Sequence, residues 1–194
     1  DDYLETLHRE TDRLTTLIED LLAISRLDND TAVLSVQKQN LNAVVERLVQ
    51  DRKRLFSEKG VDLSFIPQED LQPVMADEDA ISQVIANLMT NALQYTHTGG
   101  SVSLRTYRCD EGGRGRICLD VADTGLGIGE EEQEQLFTRF FRGSASREMK
   151  TPGTGLGLAI CREILLRHDG DITVKSELDQ GTVFTMWLPV MDQE

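Results

Sequence analysis

Hydrophobic positions recur at helical spacing near the start of the chain. Leu7, Leu14 and Leu21 are seven residues apart, and the apolar positions between Leu4 and Leu27 fill the same broad face. Because positions three, four and seven apart share one side of an α-helix, this spacing predicts one long amphipathic helix. Such a stripe has to be buried against another helix, and we expect that partner helix to lie outside this chain.

Behind a short polar break, the remaining chain mixes helix-like and strand-like patterns. The break is Asp28-Asn29-Asp30, whose side chains compete for backbone hydrogen bonds, so we predict a domain boundary between residues 1–30 and 31–194. Helices are predicted over 41–58, 78–95 and 155–168, the first two capped by Asn40 and Asp77. Strands are predicted over 33–37, 61–66, 73–76, 101–108, 116–122, 170–176 and 182–189.

The order of these elements predicts the fold class. Strands and helices do not alternate strictly, and the glycine-rich residues 111–115 separate two strands in the manner of a hairpin. We therefore predict an α+β fold. Its form is a two-layer α/β sandwich, in which a mixed, mainly antiparallel sheet carries helices on one face, preceded by one long amphipathic helix.

Composition and charge narrow the classes of partner. The 194 residues are 39% hydrophobic and 28% charged, as in globular proteins. The net charge of −14 and the pI of about 4.6 exclude a basic surface for binding nucleic acid or an anionic membrane. Cys109, Cys118 and Cys161 are far apart and show no C-x-x-C spacing, so we predict core thiols of a reducing cytosol. No apolar run is long enough to span a membrane.

The first segment with candidate chemistry, residues 87–95, places three carboxamides on one helical face. Asn87, Asn91 and Gln94 stand at i, i+4 and i+7. A carboxamide on a mostly apolar helix needs a polar partner. One interpretation is that a carbonyl oxygen ligates Mg²⁺, which takes its other ligands from water and phosphate oxygens. The other is a capped or solvated helix edge, and the segment taken alone fits this second interpretation better.

The second segment, residues 123–128, follows a predicted strand. Asp123 can accept a hydrogen bond from an exocyclic amine such as that of adenine, and Gly125 and Gly127 let a flat base approach the backbone. The alternative is an ordinary turn after a strand.

The third segment, residues 153–160, is a glycine run that becomes a helix. Free N–H groups and the positive end of the helix dipole make such a junction suitable for phosphates. It has neither the Rossmann spacing nor the ending of a P-loop.

Between it and the second segment, residues 143–152 are predicted to form a mobile lid anchored by Phe137, Phe140 and Phe141. Arg139 or Arg142 could reach a terminal phosphate, or be solvated surface charges.

In their order along the chain, these segments resemble the N box, first glycine box, F box and second glycine box of bacterial sensor histidine kinases. Residues 181–184 look like the last glycine motif of that family, and residues 14–27 look like the second helix of its dimerisation domain. The resemblance extends from about residue 3 to residue 190. It implies the fold shared with gyrase, heat-shock chaperone and mismatch-repair ATPases.

The resemblance also implies cofactors and site residues. ATP and Mg²⁺ would be bound, with Asn91 as the metal ligand, and the catalytic residues would be Asn91, Arg139 and Arg142. Gln94 stands where many relatives carry a lysine. The residues implied in nucleotide binding are Asn87, Asn91, Gln94, Tyr95, Asp123, Gly125, Gly127, Ile128, Gly153, Thr154, Gly155, Leu156, Gly157, Leu158 and Thr182.

The function implied is transfer of the γ-phosphate of ATP to a histidine, and then to an aspartate of a response-regulator receiver domain. Nothing here resembles the phosphoacceptor motif, so we expect a fragment that binds ATP or ADP but does not phosphorylate itself. The resemblance also implies a homodimer in the full-length protein and a cytoplasmic portion whose membrane anchor lies outside the fragment. Two alternatives are a plain ATPase of the same fold and a nucleotide-sensing or interaction module without phosphoryl transfer.

Overall fold

The computed structural model describes residues 11, 15, 17, 18, 21, 22, 34–111, 114–144, 146 and 153–190. The six described residues near the start are all helical, and the Thr15 hydroxyl donates to the carbonyl of Thr11 at 3.0 Å. Most of the predicted long helix and the predicted boundary at residues 28–30 lie outside the described residues. None of the described helices is long and apolar enough to cross a membrane.

The described elements follow the predicted order, with small shifts at their ends and one short helix that was not predicted. In chain order they are β1 (Gln37–Gln39), α1 (Leu41–Lys59), β2 (Asp62–Ile66), β3 (Val74–Ala76), α2 (Glu78–Tyr95), β4 (Ser101–Glu111), β5 (Arg114–Asp123), α3 (Glu130–Gln133), α4 (Gly157–Leu166), β6 (Asp171–Glu177) and β7 (Gly181–Pro189). The unpredicted helix is α3. The strand expected at residues 33–37 lies two to four residues later, as β1.

The main sheet has five strands in the order β2-β4-β5-β7-β6. β2 pairs with β4 in parallel, and the other three pairings are antiparallel. The strands β1 and β3 form a separate antiparallel pair, in which Gln37 lies opposite Ala76. The mixed, mainly antiparallel sheet is therefore confirmed.

Helix caps were predicted correctly from side-chain chemistry. The Asn40 side chain accepts from the N–H of Ala43 at 3.3 Å, and the Asp77 side chain accepts from the N–H of Ala80 at 3.0 Å. Each thereby satisfies an N–H group that has no partner inside its helix. Gly60 ends α1 in the left-handed region with φ 70°.

The hydrophobic core lies between one face of the sheet and the helices. Inward positions of the central strands alternate with outward ones, as the period of two along a strand requires. On the helices the buried positions recur three and four apart. Fully buried members of this core include Val84, Ile85, Leu88, Leu104, Leu119 and Met186. The predicted two-layer arrangement is thus confirmed.

The outward face of the sheet corrects the prediction for two cysteines. Cys109 and Cys118 are joined by a disulfide of 1.97 Å, whereas three core thiols were expected. In the strand register Cys118 lies opposite Tyr107, two residues from Cys109, so the pair is a diagonal neighbour across β4 and β5. Nine residues of separation in sequence do not reveal this. Cys161 takes no part in the disulfide and is a buried thiol, as predicted.

Candidate functional site

Most of the predicted site residues meet around one cavity of about 390 Å³. Five stretches of chain that are distant in sequence contribute to it: α2, the turn after β5, α3 with the residues after it, the glycine run with the start of α4, and the start of β7. The predicted residues that line it are Asn87, Asn91, Gln94, Tyr95, Asp123, Gly127, Ile128, Arg142, Gly153, Thr154, Gly155, Gly157, Leu158 and Thr182.

Asp123 is the last residue of β5 and stands at the floor of the cavity. Its Oδ1 accepts the N–H of Gly125 at 2.8 Å, and the β5–β7 register places it opposite Thr182. Burial raises the pKa of this carboxyl group, although hydrogen bonds from the backbone of Gly125 and Thr182 act in the opposite direction. A half-buried carboxylate of this kind is a directed hydrogen-bond acceptor.

The two glycines after Asp123 are required by packing. A Cβ on Gly125 would lie 2.4 Å from the carbonyl oxygen of Tyr95, and one on Gly127 would lie 1.9 Å from that of Glu177. Gly127 also has φ 67°, which side chains disfavour. The turn is further held by the N–H of Leu126, which donates to the Tyr95 carbonyl at 3.3 Å. The glycines therefore fix the floor against α2 and β6.

The carboxamides of α2 form one wall of the cavity, as their spacing predicted. Asn87, Asn91 and Gln94 all line it. The Nδ2 of Asn87 donates to the Sγ of Cys161 at 3.1 Å. A Cβ on Gly157 would lie 2.6 Å from the same Nδ2, so α2 and α4 approach closely at this point.

The glycine run forms the wall next to α4. Gly155 has φ 74°, and Thr154 Oγ1 accepts the N–H of Leu156 at 3.2 Å. The helix α4 begins at Gly157, so its first N–H groups, which have no partner inside the helix, lie beside the cavity. The glycine run therefore does lead into a helix beside the cavity, as the sequence indicated, and phosphate binding there stays a prediction.

Two predicted members of the glycine motifs do not line the cavity. Leu156 is fully buried in the hydrophobic core, with none of its surface exposed. Gly125 lies beneath the floor, where it packs against Tyr95. Both support the neighbouring residues that do line the cavity.

The side of the cavity opposite α2 is held by side-chain hydrogen bonds. Glu132 of α3 accepts the N–H of Ser144 at 2.8 Å and its hydroxyl at 3.2 Å. Arg142 donates from Nε to the hydroxyl of Ser146 at 3.1 Å and from a terminal nitrogen to its carbonyl at 3.3 Å. Much of the predicted lid, including residues 147–152, lies outside the described residues.

The structure separates the two candidate arginines. Arg142 lines the main cavity, but Arg139 lines a second, smaller one of about 160 Å³, together with Arg162 and Glu163. The structure therefore does not bring Arg139 to the other site residues. Of the three predicted anchors, Phe137 packs edge-on against Phe184 at 6.5 Å, whereas Phe140 is 62% exposed and does not anchor the segment.

Sequence reasoning missed several residues of the cavity wall. Gln83 and Thr90 share the helical face of Asn87, so extending the i, i+4 pattern in both directions would have found them. Phe184 belongs to the last glycine motif that had been recognised. Phe141 had been predicted as a lid anchor, and Gly143 and Ser146 belong to the predicted lid. No local pattern marks the remaining wall residues, which are Glu132, Leu136, Ile160 and Cys161.

Comparison with known proteins identifies the family of this domain. Residues 76–192, more than half of the chain, match the family described as histidine kinase-, DNA gyrase B- and HSP90-like ATPase. Sensor histidine kinase RppB of Synechocystis sp. is 36% identical over 187 residues, which are 96% of this chain and 40% of that protein. Sensor histidine kinase ZraS of Salmonella typhimurium is 33% identical over 190 residues, 98% of this chain and 38% of that protein. The chain thus spans well under half of these relatives.

Solved structures agree in fold. Full-length ShkA in complex with AMPPNP is 27% identical, with a TM-score of 0.82 over all of this chain and 39% of that one. Histidine kinase ThkA in complex with response regulator protein TrrA is 26% identical, with a TM-score of 0.77 over 98% of this chain and 51% of that one. The chain belongs to the family of histidine kinase-, DNA gyrase B- and HSP90-like ATPases, and it carries the ATPase domain of a sensor histidine kinase.

Proposed function

We propose that this domain binds Mg²⁺-ATP and presents the γ-phosphate to a histidine of the whole protein, from which the phosphoryl group passes to a response-regulator aspartate. The observation that carries the proposal is the convergence of the Asp123 carboxylate, the carboxamide face of α2 and the start of α4 on one cavity. An acceptor for an amine, oxygen ligands for a metal and N–H donors for phosphate are the three groups that a nucleotide triphosphate requires.

The adenine end of the nucleotide belongs at the floor. Asp123 offers an acceptor there, and Ile128, Leu136 and Phe184 supply apolar surface beside it. Base recognition of this kind combines a few directed polar groups with an apolar pocket. The phosphates belong at Gly153, Thr154, Gly155 and the first turn of α4.

Magnesium fits the donor set that the structure offers. Among the residues described, no group of three or more His, Cys, Asp or Glu side chains is placed to hold a metal ion. Mg²⁺ does not need such a group, because it keeps several waters and takes ligands from phosphate oxygens. Asn91, with Asn87 one turn away, would supply the protein oxygen. When bound, the ion neutralises charge that develops on the transferring phosphoryl group.

The protein's own contribution is positioning and charge. Phosphoryl transfer needs little covalent help, so holding the γ-phosphate in line with the attacking nitrogen supplies most of the catalysis. Arg142 borders the cavity and can exchange its Ser146 contacts for a phosphate oxygen with a forked guanidinium. We assign the terminal-phosphate role to Arg142 alone, since Arg139 faces the second cavity.

The first experiment is calorimetric titration of the chain with ATP, with and without Mg²⁺. Asp123→Asn should weaken binding at least tenfold, because a charged acceptor becomes a carboxamide that also presents donors. The matched control is Asp120→Asn on the same strand. Asp120 lies on the outward face, where it accepts from Arg105 at 2.9 Å, so its replacement should lower stability and leave ATP affinity unchanged. Absence of binding by the folded wild-type chain at millimolar ATP would refute the proposal.

Partners are proposed on the same basis. The complex of ThkA with TrrA supports a receiver domain as the phosphoryl acceptor downstream. The sequence pattern of residues 14–27 supports a homodimer of the whole protein, for which we also propose a membrane anchor. A longer chain that restores the preceding helix should form phosphohistidine with labelled ATP. Steady ATP hydrolysis without phosphohistidine would favour the plain ATPase, and binding without either reaction would favour the sensing module.

A further inference from the structure

We propose that Cys161 is a positioning residue for Mg²⁺-ATP, which acts by fixing the orientation of the Asn87 carboxamide. The inference rests on the proposed function and adds to it a residue that no motif identifies. It is drawn from three contacts where α2 and α4 meet: Asn87 with Cys161, Cys161 with Val84, and Asn87 with Gly157.

The first two contacts assign the roles of the thiol. The Sγ of Cys161 lies 3.9 Å from the carbonyl oxygen of Val84, to which the S–H group donates. Sulfur is thereby left as the acceptor on its other side. There the Nδ2 of Asn87 donates to it at 3.1 Å. A carboxamide that faced the sulfur with its oxygen would have no proton to accept, so the thiol selects one of the two amide orientations.

The third contact restricts the amide plane. A Cβ on Gly157 would lie 2.6 Å from Nδ2 and 2.9 Å from Oδ1 of Asn87, which means that the amide lies flat against the bare Cα of the first α4 residue. With sulfur at one end and Gly157 beneath, the carboxamide has little rotational freedom. Cys161 is itself 1% exposed, so the contact between Sγ and Nδ2 is shielded from solvent on the side of the sulfur.

The orientation of the Asn87 carboxamide decides whether a ligand in the cavity contacts its NH₂ group or its carbonyl oxygen. Because Cys161 engages the NH₂ end, the carbonyl oxygen is the end left for a ligand in the cavity. A carbonyl oxygen suits Mg²⁺ or one of its waters, whereas an NH₂ group suits a phosphate oxygen. Cys161 therefore assigns Asn87 to the metal side of Mg²⁺-ATP, next to Asn91.

The test is a double-mutant cycle on ATP affinity, measured with and without Mg²⁺. Cys161→Val stays apolar, adds one methyl group and removes the acceptor, and it should raise the Kd for Mg²⁺-ATP by roughly threefold to tenfold, the range for one hydrogen bond, with little effect on Mg²⁺-free ATP. In an Asn87→Ala background the same substitution should change nothing further. Cys161→Ser retains a donor and an acceptor and should stay within about twofold of wild type.

The control is Ile164→Val, a buried position one turn further along α4 that does not line the cavity. It should lower stability without changing the Mg²⁺ dependence. Cys161→Val with wild-type affinity, an equal loss in the Asn87→Ala background, or an equal loss in Cys161→Ser would each overturn the inference while the proposed function stands. Failure of the wild-type chain to bind Mg²⁺-ATP would instead refute the proposed function.

A measurement on the wild-type chain covers the case in which Cys161→Val does not fold. In ¹⁵N NMR spectra the side-chain NH₂ protons of Asn87 should exchange with water more slowly than those of the exposed Gln50. Equal exchange rates would show that the carboxamide is not held by sulfur, and the inference would fail.

Discussion

The two sides of the cavity are held by different kinds of contact. The floor, residues 123–128, is fixed by main-chain atoms: Gly125 packs on the Tyr95 carbonyl, and Gly127 packs on the Glu177 carbonyl. The lid side, residues 132–146, is fixed by side chains, through Glu132 to Ser144 and Arg142 to Ser146.

This difference determines what each side can do when a ligand enters. Main-chain contacts in a packed interior cannot be exchanged without shifting neighbouring strands. Side-chain hydrogen bonds have a small net free energy, so a phosphate or a metal-bound water can replace them at little cost. The floor is therefore suited to recognise a rigid base, and the lid side is suited to respond to charge.

The largest effect should come from adding one carbon to the floor. Gly127→Ala places a Cβ 1.9 Å from the Glu177 oxygen at φ 67°, so we expect the free energy of unfolding to fall by about 3 kcal/mol or more. Urea denaturation measures this. The matched control is Gly153→Ala in the glycine run before α4, where a Cβ meets nothing within 4 Å, and it should change stability by less than about 0.5 kcal/mol. Equal losses would mean that the glycine run is as tightly packed as the floor.

The next effect tests which arginine belongs to the lid side of the cavity. Arg142→Met should weaken ATP binding roughly tenfold to a hundredfold, and ADP binding much less, because hydrogen bonds between charged groups carry about 1.5–3 kcal/mol. Calorimetric titrations with both nucleotides measure the difference. Arg139→Met is the matched control and should stay within about twofold, since Arg139 lines the second cavity. The reverse result would require Arg139 to move into the cavity when ATP binds.

The same contrast explains what could be predicted from the sequence. The floor and the α2 wall were predicted because their chemistry is local: an acid at a strand end, carboxamides four residues apart and a glycine run before a helix each have a defined geometry. The lid side was predicted only in part, as a lid with Arg142 beside it, because residues 134–143 form turns and irregular backbone with no repeating conformation. Arg139 and Arg142 could not be distinguished, since the backbone between them turns sharply at Phe140, with φ 65°.

Two errors have the same physical origin. A motif treats all its members alike, so Leu156 and Gly125 were assigned to the nucleotide although one is core and the other packs under the floor. Pairing between strands is likewise invisible in sequence, and the Cys109–Cys118 disulfide depends on the register of β4 and β5. Conversely, the caps at Asn40 and Asp77 were correct because a cap depends only on its next three residues.

A smaller effect, the pH dependence of ATP affinity, tests the role of Asp123 in the floor. Burial raises the pKa of Asp123, so this carboxyl group takes up a proton at a higher pH than an ordinary aspartate. Folded chains then bind more protons than unfolded ones, and this group's contribution to stability decreases as pH rises through the folded pKa. ATP affinity should change in the opposite direction, falling a few-fold as pH is lowered, because the neutral acid is a weaker acceptor.

The measurement is the Kd for ATP between pH 7.5 and pH 5 in wild type and in Asp123→Asn. The nucleotide's own phosphate titrates in both proteins, so the difference between them isolates Asp123. Parallel curves would show that the carboxylate does not contact the base.

The smallest effect tests whether the lid side contributes charge or only shape. Glu132→Gln keeps an acceptor for the Ser144 N–H but removes a negative charge from the cavity wall, so we expect ATP to bind about twofold to threefold more tightly at low salt. High salt should abolish the gain. Glu130→Gln, on the same helix but outside the cavity lining, is the matched control and should change little. If Glu132→Gln instead weakens ATP binding at every salt concentration, the hydrogen bonds from Ser144 to Glu132 matter more for binding than the negative charge. The lid side would then require a fixed shape, as the floor does.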